Sequence, residues 1–135
     1  MERTGRIKCF MVEYDREKGY WINSTTREPV ASPPDFMLPP GAMWYPRAYK
    51  FTPDGRKKEI KEALTVMTPG GIWGIDGSAS NCTRKDDLLH QCWVRHGEPP
   101  DVTVDKNGDT CAAGAGSIMC GNYHGFLRNG FLEEC

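Results

Sequence analysis

A chain of 135 residues and 15.2 kDa is one domain's worth of protein, with room for little more than an added arm. Its 17 basic and 18 acidic side chains leave a formal charge of -1, which excludes the strongly basic balance of a general nucleic-acid binder. Leu, Ile, Val and Phe account for only 23 residues, but the near-zero charge and 14 aromatic residues argue against disorder and for a loop-rich domain with a small core.

The elements follow in chain order. Residues 6–14 read as a strand, with Ile7, Cys9 and Met11 alternating against Lys8, Phe10 and Val12. Asp15 to Gly19 is a polar turn, after which Tyr20-Trp21-Ile22 can pair back as a first hairpin. Residues 23–50 carry Pro29, Pro33, Pro34, Pro39, Pro40 and Pro46, which oppose a long regular element. The same stretch holds Phe36, Met37, Leu38, Met43, Trp44, Tyr45 and Tyr49, too many large apolar groups for a bare linker. It is expected to be an extended arm with little regular structure. Phe36, Met37, Leu38, Trp44 and Tyr45 would be its anchors on a partner.

Pro53-Asp54-Gly55 is a turn. Residues 56–67 admit two readings, since Ile60, Ala63, Leu64 and Met67 have helical spacing while Leu64 and Val66 alternate as in a strand. Thr68-Pro69-Gly70-Gly71 followed by Ile72-Trp73 favours a hairpin, with at most one helical turn around 57–62. Val102-Thr103-Val104 and Asp109-Thr110-Cys111, joined by Asp105-Lys106-Asn107-Gly108, read as a further hairpin. Tyr123 to Glu134 reads as another, closed by Asn129-Gly130, a pair suited to the positive φ of a two-residue turn.

No apolar run approaches the roughly 18 residues of a membrane span, so no membrane partner is expected. The N-terminus does not read as a signal peptide, and synthesis in a reducing cytosol is the expectation. Six cysteines (9, 82, 92, 111, 120 and 135) are then open to three fates: metal ligation, disulfides or buried thiols. Four of them crowd between 82 and 120 among His90, His96 and His124, and thiolate and imidazole are the ligands that zinc prefers. In His90-Gln91-Cys92 the alternate side chains would point the same way on a strand. No Cys-x-x-Cys pair is present.

Other chemistry is thinner. Arg95-His96-Gly97 copies the histidine-phosphatase signature, but it lies late in the chain, among hairpins, and is read as a strand end. Arg95 is there expected to pair with Asp86, Asp87 or Glu98. Cys111 with His124 has the residue types of a nucleophile pair, without a diagnostic spacing. Asp105, Asn107 and Asp109 alternate like a calcium loop, but the twelfth position is Gly116, which rejects calcium.

From Gly77-Ser78-Ala79-Ser80-Asn81-Cys82 through His90-Gln91-Cys92-Trp93-Val94-Arg95-His96-Gly97-Glu98-Pro99-Pro100, Cys111-Ala112-Ala113-Gly114-Ala115-Gly116-Ser117 and Tyr123-His124-Gly125-Phe126-Leu127, the chain resembles a family of small proteins of tailed bacteriophages and prophages. The ending is similar to a broader Cys/His-containing domain family of unknown function. The likeness covers about residues 64–132. It implies a phage setting, and it implies a metal-ligand set of Cys82, His90, Cys92, Cys111 and His124, for which the ligand chemistry points to zinc as the ion. It brings no catalytic residues.

The expected fold is thus mainly β: a small domain of β-hairpins with a long proline-rich extended segment and little helix. Its parts would be an N-terminal hairpin (1–22), the arm (23–55) and a Cys/His-containing β domain (56–135). The favoured function is a structural or accessory component of the virion, made in the host cytoplasm. It would bind other phage structural proteins or itself, with no direct nucleic-acid contact. The alternative is a metal-dependent hydrolase or modifying enzyme acting in the infected cell.

Overall fold

A computed structural model describes residues 6–31, 37–46, 48–60, 63–76, 83–84, 86–88, 92–105 and 118–134, and these hold strands and turns with no helix. The mainly β reading is what the chain adopts.

The first run of alternating residues is one line of chain shared by two sheets. β1 (Arg6–Lys8) and β2 (Phe10–Asp15) hand over at Cys9. The Cys9 N–H donates to the Gly130 carbonyl at 2.8 Å, and the next N–H, of Phe10, donates to the Gly41 carbonyl at 3.0 Å. The parity expected from sequence holds: Ile7, Cys9 and Met11 turn to the main core, while Phe10 and Val12 turn to a second apolar cluster on the other side.

β2 pairs back on β3 (Tyr20–Asn23), with Tyr14 opposite Trp21, so the first hairpin forms. β4 (Pro29–Ala31) adds an edge, with Pro29 at its first residue, where a missing N–H costs no ladder bond. The proline-rich stretch is therefore more regular than its composition suggests. β5 (Ala42–Trp44) lies parallel to β2 and antiparallel to β8 (Thr65–Thr68), which β9 (Gly71–Gly74) completes. The resulting six-stranded sheet runs β4-β3-β2-β5-β8-β9. Pro39, Pro40 and Pro46 bracket β5 instead of interrupting it, so the prolines punctuate strands and do not forbid them.

β6 (Ala48–Phe51) and β7 (Lys57–Ile60) form a separate two-stranded ribbon. The sequence leaves helix and strand open over 56–67, with at most one helical turn around 57–62. Residues 57–60 are strand because Phe51, Lys50, Tyr49 and Ala48 offer a complete pairing partner across the Pro53-Asp54-Gly55 turn. Residues 61–62 lie outside the described set.

β10 (Val94–His96) and β11 (Thr103–Asp105) make a second ribbon. Val102-Thr103-Val104 thus pairs backwards, with 94–96, where sequence pointed forwards to 109–111, and those later residues lie outside the described set. β12 (Ile118–Cys120), β13 (Tyr123–Arg128) and β14 (Phe131–Glu134) join β1 in an antiparallel sheet of order β1-β14-β13-β12. The turn between β13 and β14 is Asn129-Gly130, with φ of 51° and 79°, the geometry that its sequence requires. Because β1 pairs with β14, residues 6–8 belong with the C-terminus, and the boundaries at 22/23 and 55/56 are crossed by β1–β14, β2–β5 and β5–β8 pairing.

The two sheets share the β1–β2 line on one side and meet again on the other. There the Pro69-Gly70 turn sits on the β12–β13 turn, and a Cβ added to Gly70 would fall on the Cys120 carbonyl. The Cys120 thiol lies 3.4 Å from the Ile72 carbonyl at the same seam. Enclosed between the sheets are Cys9, Met43, Leu64, Val66, Trp73, Ile75, Cys92, Trp93, Val102, Val104, Ile118, Tyr123, Leu127 and Leu132. Trp73 and Trp93 meet edge to face with centroids 5.0 Å apart, supplying the bulk that the lean aliphatic content lacks.

Candidate partner-binding surface

The outer face of the six-stranded sheet is built by period-two alternation. Val12 and Ala42, with Met67 of β8, turn outward and are buried under Leu38 and Ala31, while their neighbours Met11, Met43 and Val66 turn to the main core. Leu38 is only 6% exposed, and it is its own domain that covers it. Its burial against a partner, expected from sequence, is corrected: β5 is held by backbone pairing on both sides, so the chain leading into it is drawn onto the sheet.

An aromatic row crosses the same face. Tyr14 meets Trp21 edge to face at 5.7 Å, and Trp21 meets Trp44 at 6.1 Å across β2. Trp21 and Trp44 are half-buried on the second cluster, so Trp44 also packs within its own chain. Tyr14 is 44% exposed, Tyr45 46% and Met37 69%. Of the expected anchors, Met37 and Tyr45 thus remain outward, Leu38 and Trp44 are wholly or partly absorbed, and Phe36 lies outside the described residues. The row was not read from sequence. Its signal was the opposition of Tyr14 and Trp21 across the Asp15–Gly19 turn, but the arrival of Trp44 beside them depends on the parallel β2–β5 pairing.

Below this sheet an acid clamps the core. The Leu64 N–H donates to Asp76 Oδ2 at 2.8 Å, and Arg95 Nε lies 3.5 Å from Asp76 Oδ1. Arg95 therefore finds an acid earlier in the chain than those expected, while Asp87 pairs with Arg84 at 2.8 Å. His96 is exposed at the end of β10.

The metal-ligand set is not assembled by the described residues. Cys92 is fully buried in the main core, in the cluster that also holds Tyr123 and Leu127. His124 stands between Tyr123 and Gly125 on β13 and is exposed, so it projects from the opposite side of the sheet. Cys92 thus belongs to the core and His124 to the outer side of β13. Cys82, His90 and Cys111 lie outside the described residues. Among the described residues no group of three His, Cys, Asp or Glu side chains could hold a metal ion.

Cys9 is not an activated thiol. Burial pushes the Cys9 thiol up to about 12, partly opposed by Lys8 and reinforced by Asp101, so it stays protonated at neutral pH.

The outer face of the other sheet is occupied by its own side-chain pairs. Arg6 stacks on Phe131 and Arg128 on Phe126, each at 4.0 Å from the ring centroid, and Glu133 lies between the two guanidinium groups at 3.9 and 3.6 Å.

No family model, curated protein or solved structure matches this chain. Among the described residues no helix is long and apolar enough to cross a membrane.

Proposed function

We propose that this chain is a non-enzymatic binding protein, a structural or accessory component of a phage particle that docks on another particle protein through the outer face of its six-stranded sheet. The observation that carries the docking reading is the Tyr14–Trp21–Trp44 row, a line of rings left partly in water beside exposed Met37 and Tyr45. Aromatic groups held rigidly by a sheet lose little entropy on binding and fill a partner's pockets, which is why they dominate protein interfaces. The phage setting is supported by the sequence resemblance of residues 64–132. Zinc and an enzymatic role draw no support from the described side chains.

Two measurements test the reading. Purified particles should contain the chain at fixed stoichiometry. A Tyr14→Ser, Tyr45→Ser variant, folded by circular dichroism, should be incorporated at least tenfold less. Absence from the particle overturns the particle reading. Undiminished incorporation of the variant overturns the docking face.

A further inference from the structure

We propose that the β6–β7 ribbon is a binding site for single-stranded nucleic acid, separate from the aromatic row on the sheet. Among the described residues the ribbon's strands pair only with each other, so neither outer edge has a strand neighbour. Strand alternation sets Tyr49 and Phe51 on one face, opposite Glu59 and Lys57 respectively. Phe51 is 64% exposed and Tyr49 38%, with ring centroids 6.2 Å apart. Two neighbouring rings in water are a platform on which successive bases can stack, whatever their sequence.

Charge accompanies the rings along the sequence. Residues 47–60 carry five basic side chains (Arg47, Lys50, Arg56, Lys57 and Lys58) against two acidic ones, Asp54 and Glu59. That is +3 within a chain of -1, so the remainder carries -4. The whole-chain balance that argued against nucleic acid averages this segment away. Lys57 Nζ lies over the Tyr49 ring, 5.1 Å from its centroid, so a base that stacks there displaces the ammonium from the ring face, and the base's own phosphate receives it. Lys58 is exposed on the reverse face of the ribbon. The acid at the tip is already engaged: Thr52 donates its hydroxyl proton to Asp54, and Arg56 Nε donates to both Asp54 oxygens at 3.1 Å. These bonds hold the Asp54 carboxyl below its ordinary value and fix the turn. Arg56 also donates to the Asp86 carbonyl at 2.8 Å, which ties the tip to the body.

An acidic peptide would use the lysines but leave the paired ring faces idle. A duplex would present phosphates but keep its bases stacked on one another. A single strand uses both features at once, and that decides the occupant.

The test is fluorescence anisotropy of the full chain with a labelled oligothymidylate of about a dozen nucleotides, within the range of single-strand site sizes. Binding is expected at low salt and should weaken as salt rises. A Tyr49→Ala, Phe51→Ala variant should bind at least tenfold more weakly with its salt slope unchanged. A Lys57→Ser variant should also bind more weakly, and its slope of log K against log salt should be shallower by about 0.7, for the one phosphate that the lysine no longer neutralises, while Lys58→Ser on the reverse face should leave the slope closer to that of the parent. Circular dichroism should show these variants folded, since all four side chains are exposed. No binding at low salt, equal binding by the ring variant or by Lys57→Ser, or tighter binding to duplex or to polyglutamate overturns the proposal. The particle-incorporation experiment reads a different face, so either proposal can fail alone.

Discussion

Residues 37–44 and 48–60 are neighbours in sequence, both rich in large apolar groups, and both contribute strands. Their fates are opposite. β5 has a hydrogen-bonded strand on each side, and an apolar cluster covers each of its faces, so Ala42 and Met43 are wholly excluded from water. β6 and β7 have only each other, and Phe51 remains mostly in water. The difference lies less in composition than in coverage. A strand becomes core when neighbours and a second layer meet it, and the same kind of side chain on an uncovered ribbon becomes surface. Trp44 in the first region is therefore partly held by its own sheet and leaves only part of its ring to a partner, while Tyr49 and Phe51 in the second are more open to a ligand.

The sharpest way to break this contrast is truncation in the covered region. Met43→Ala or Leu127→Ala should each cost about 2–5 kcal/mol in chemical denaturation, the range for a buried large apolar side chain whose site cannot collapse. A loss under about 1 kcal/mol would mean that the two sheets do not enclose a packed core.

High pH should find the covered region next. In the folded chain the Cys9 thiol titrates at about 12, against an ordinary value of 9.0 once unfolding exposes it. Between these values the unfolded chain sheds the proton and the folded chain keeps it, so stability falls as pH rises from about 9 to about 12. Below about pH 9 the group contributes no pH dependence. The slope over that window should be shallower in Cys9→Ala than in the parent, by up to about 1.4 kcal/mol per pH unit. Parallel slopes would place Cys9 in contact with solvent.

The seam between the sheets is the next test. Gly70→Ala puts a Cβ onto the Cys120 carbonyl and should cost about 1–3 kcal/mol, as overpacking does. A neutral substitution would mean that β9 and β12 do not meet there.

The ribbon should show the smallest effect. Tyr49→Ala and Phe51→Ala are each expected to change stability by no more than about 0.5 kcal/mol, because they remove exposed rings. A loss above about 1.5 kcal/mol in either would show that the ribbon packs on the body, and the contrast between the two regions would fail.

The residues that proved legible in the sequence act over short separations. Asn129-Gly130 and Pro69-Gly70 demand particular turn conformations, and the strands on either side then have little choice of register. The parity of Ile7, Cys9 and Met11 was equally plain, since one strand's faces follow from its own pattern. What the pattern left open is which distant strand arrives alongside. The pairings of β1 with β14 and of β5 between β2 and β8 join segments whose own sequences are compatible with several neighbours. The candidate site divides along the same line. Met37 and Tyr45 could be nominated as anchors because large apolar groups among prolines need a surface somewhere. Whether Leu38 would meet that surface on a partner or on its own sheet, and whether Tyr14, Trp21 and Trp44 would form one row, depended on the β2–β5 pairing. Hydrophobicity is carried by the residue alone, but burial belongs to the residue together with whatever the rest of the chain brings to cover it.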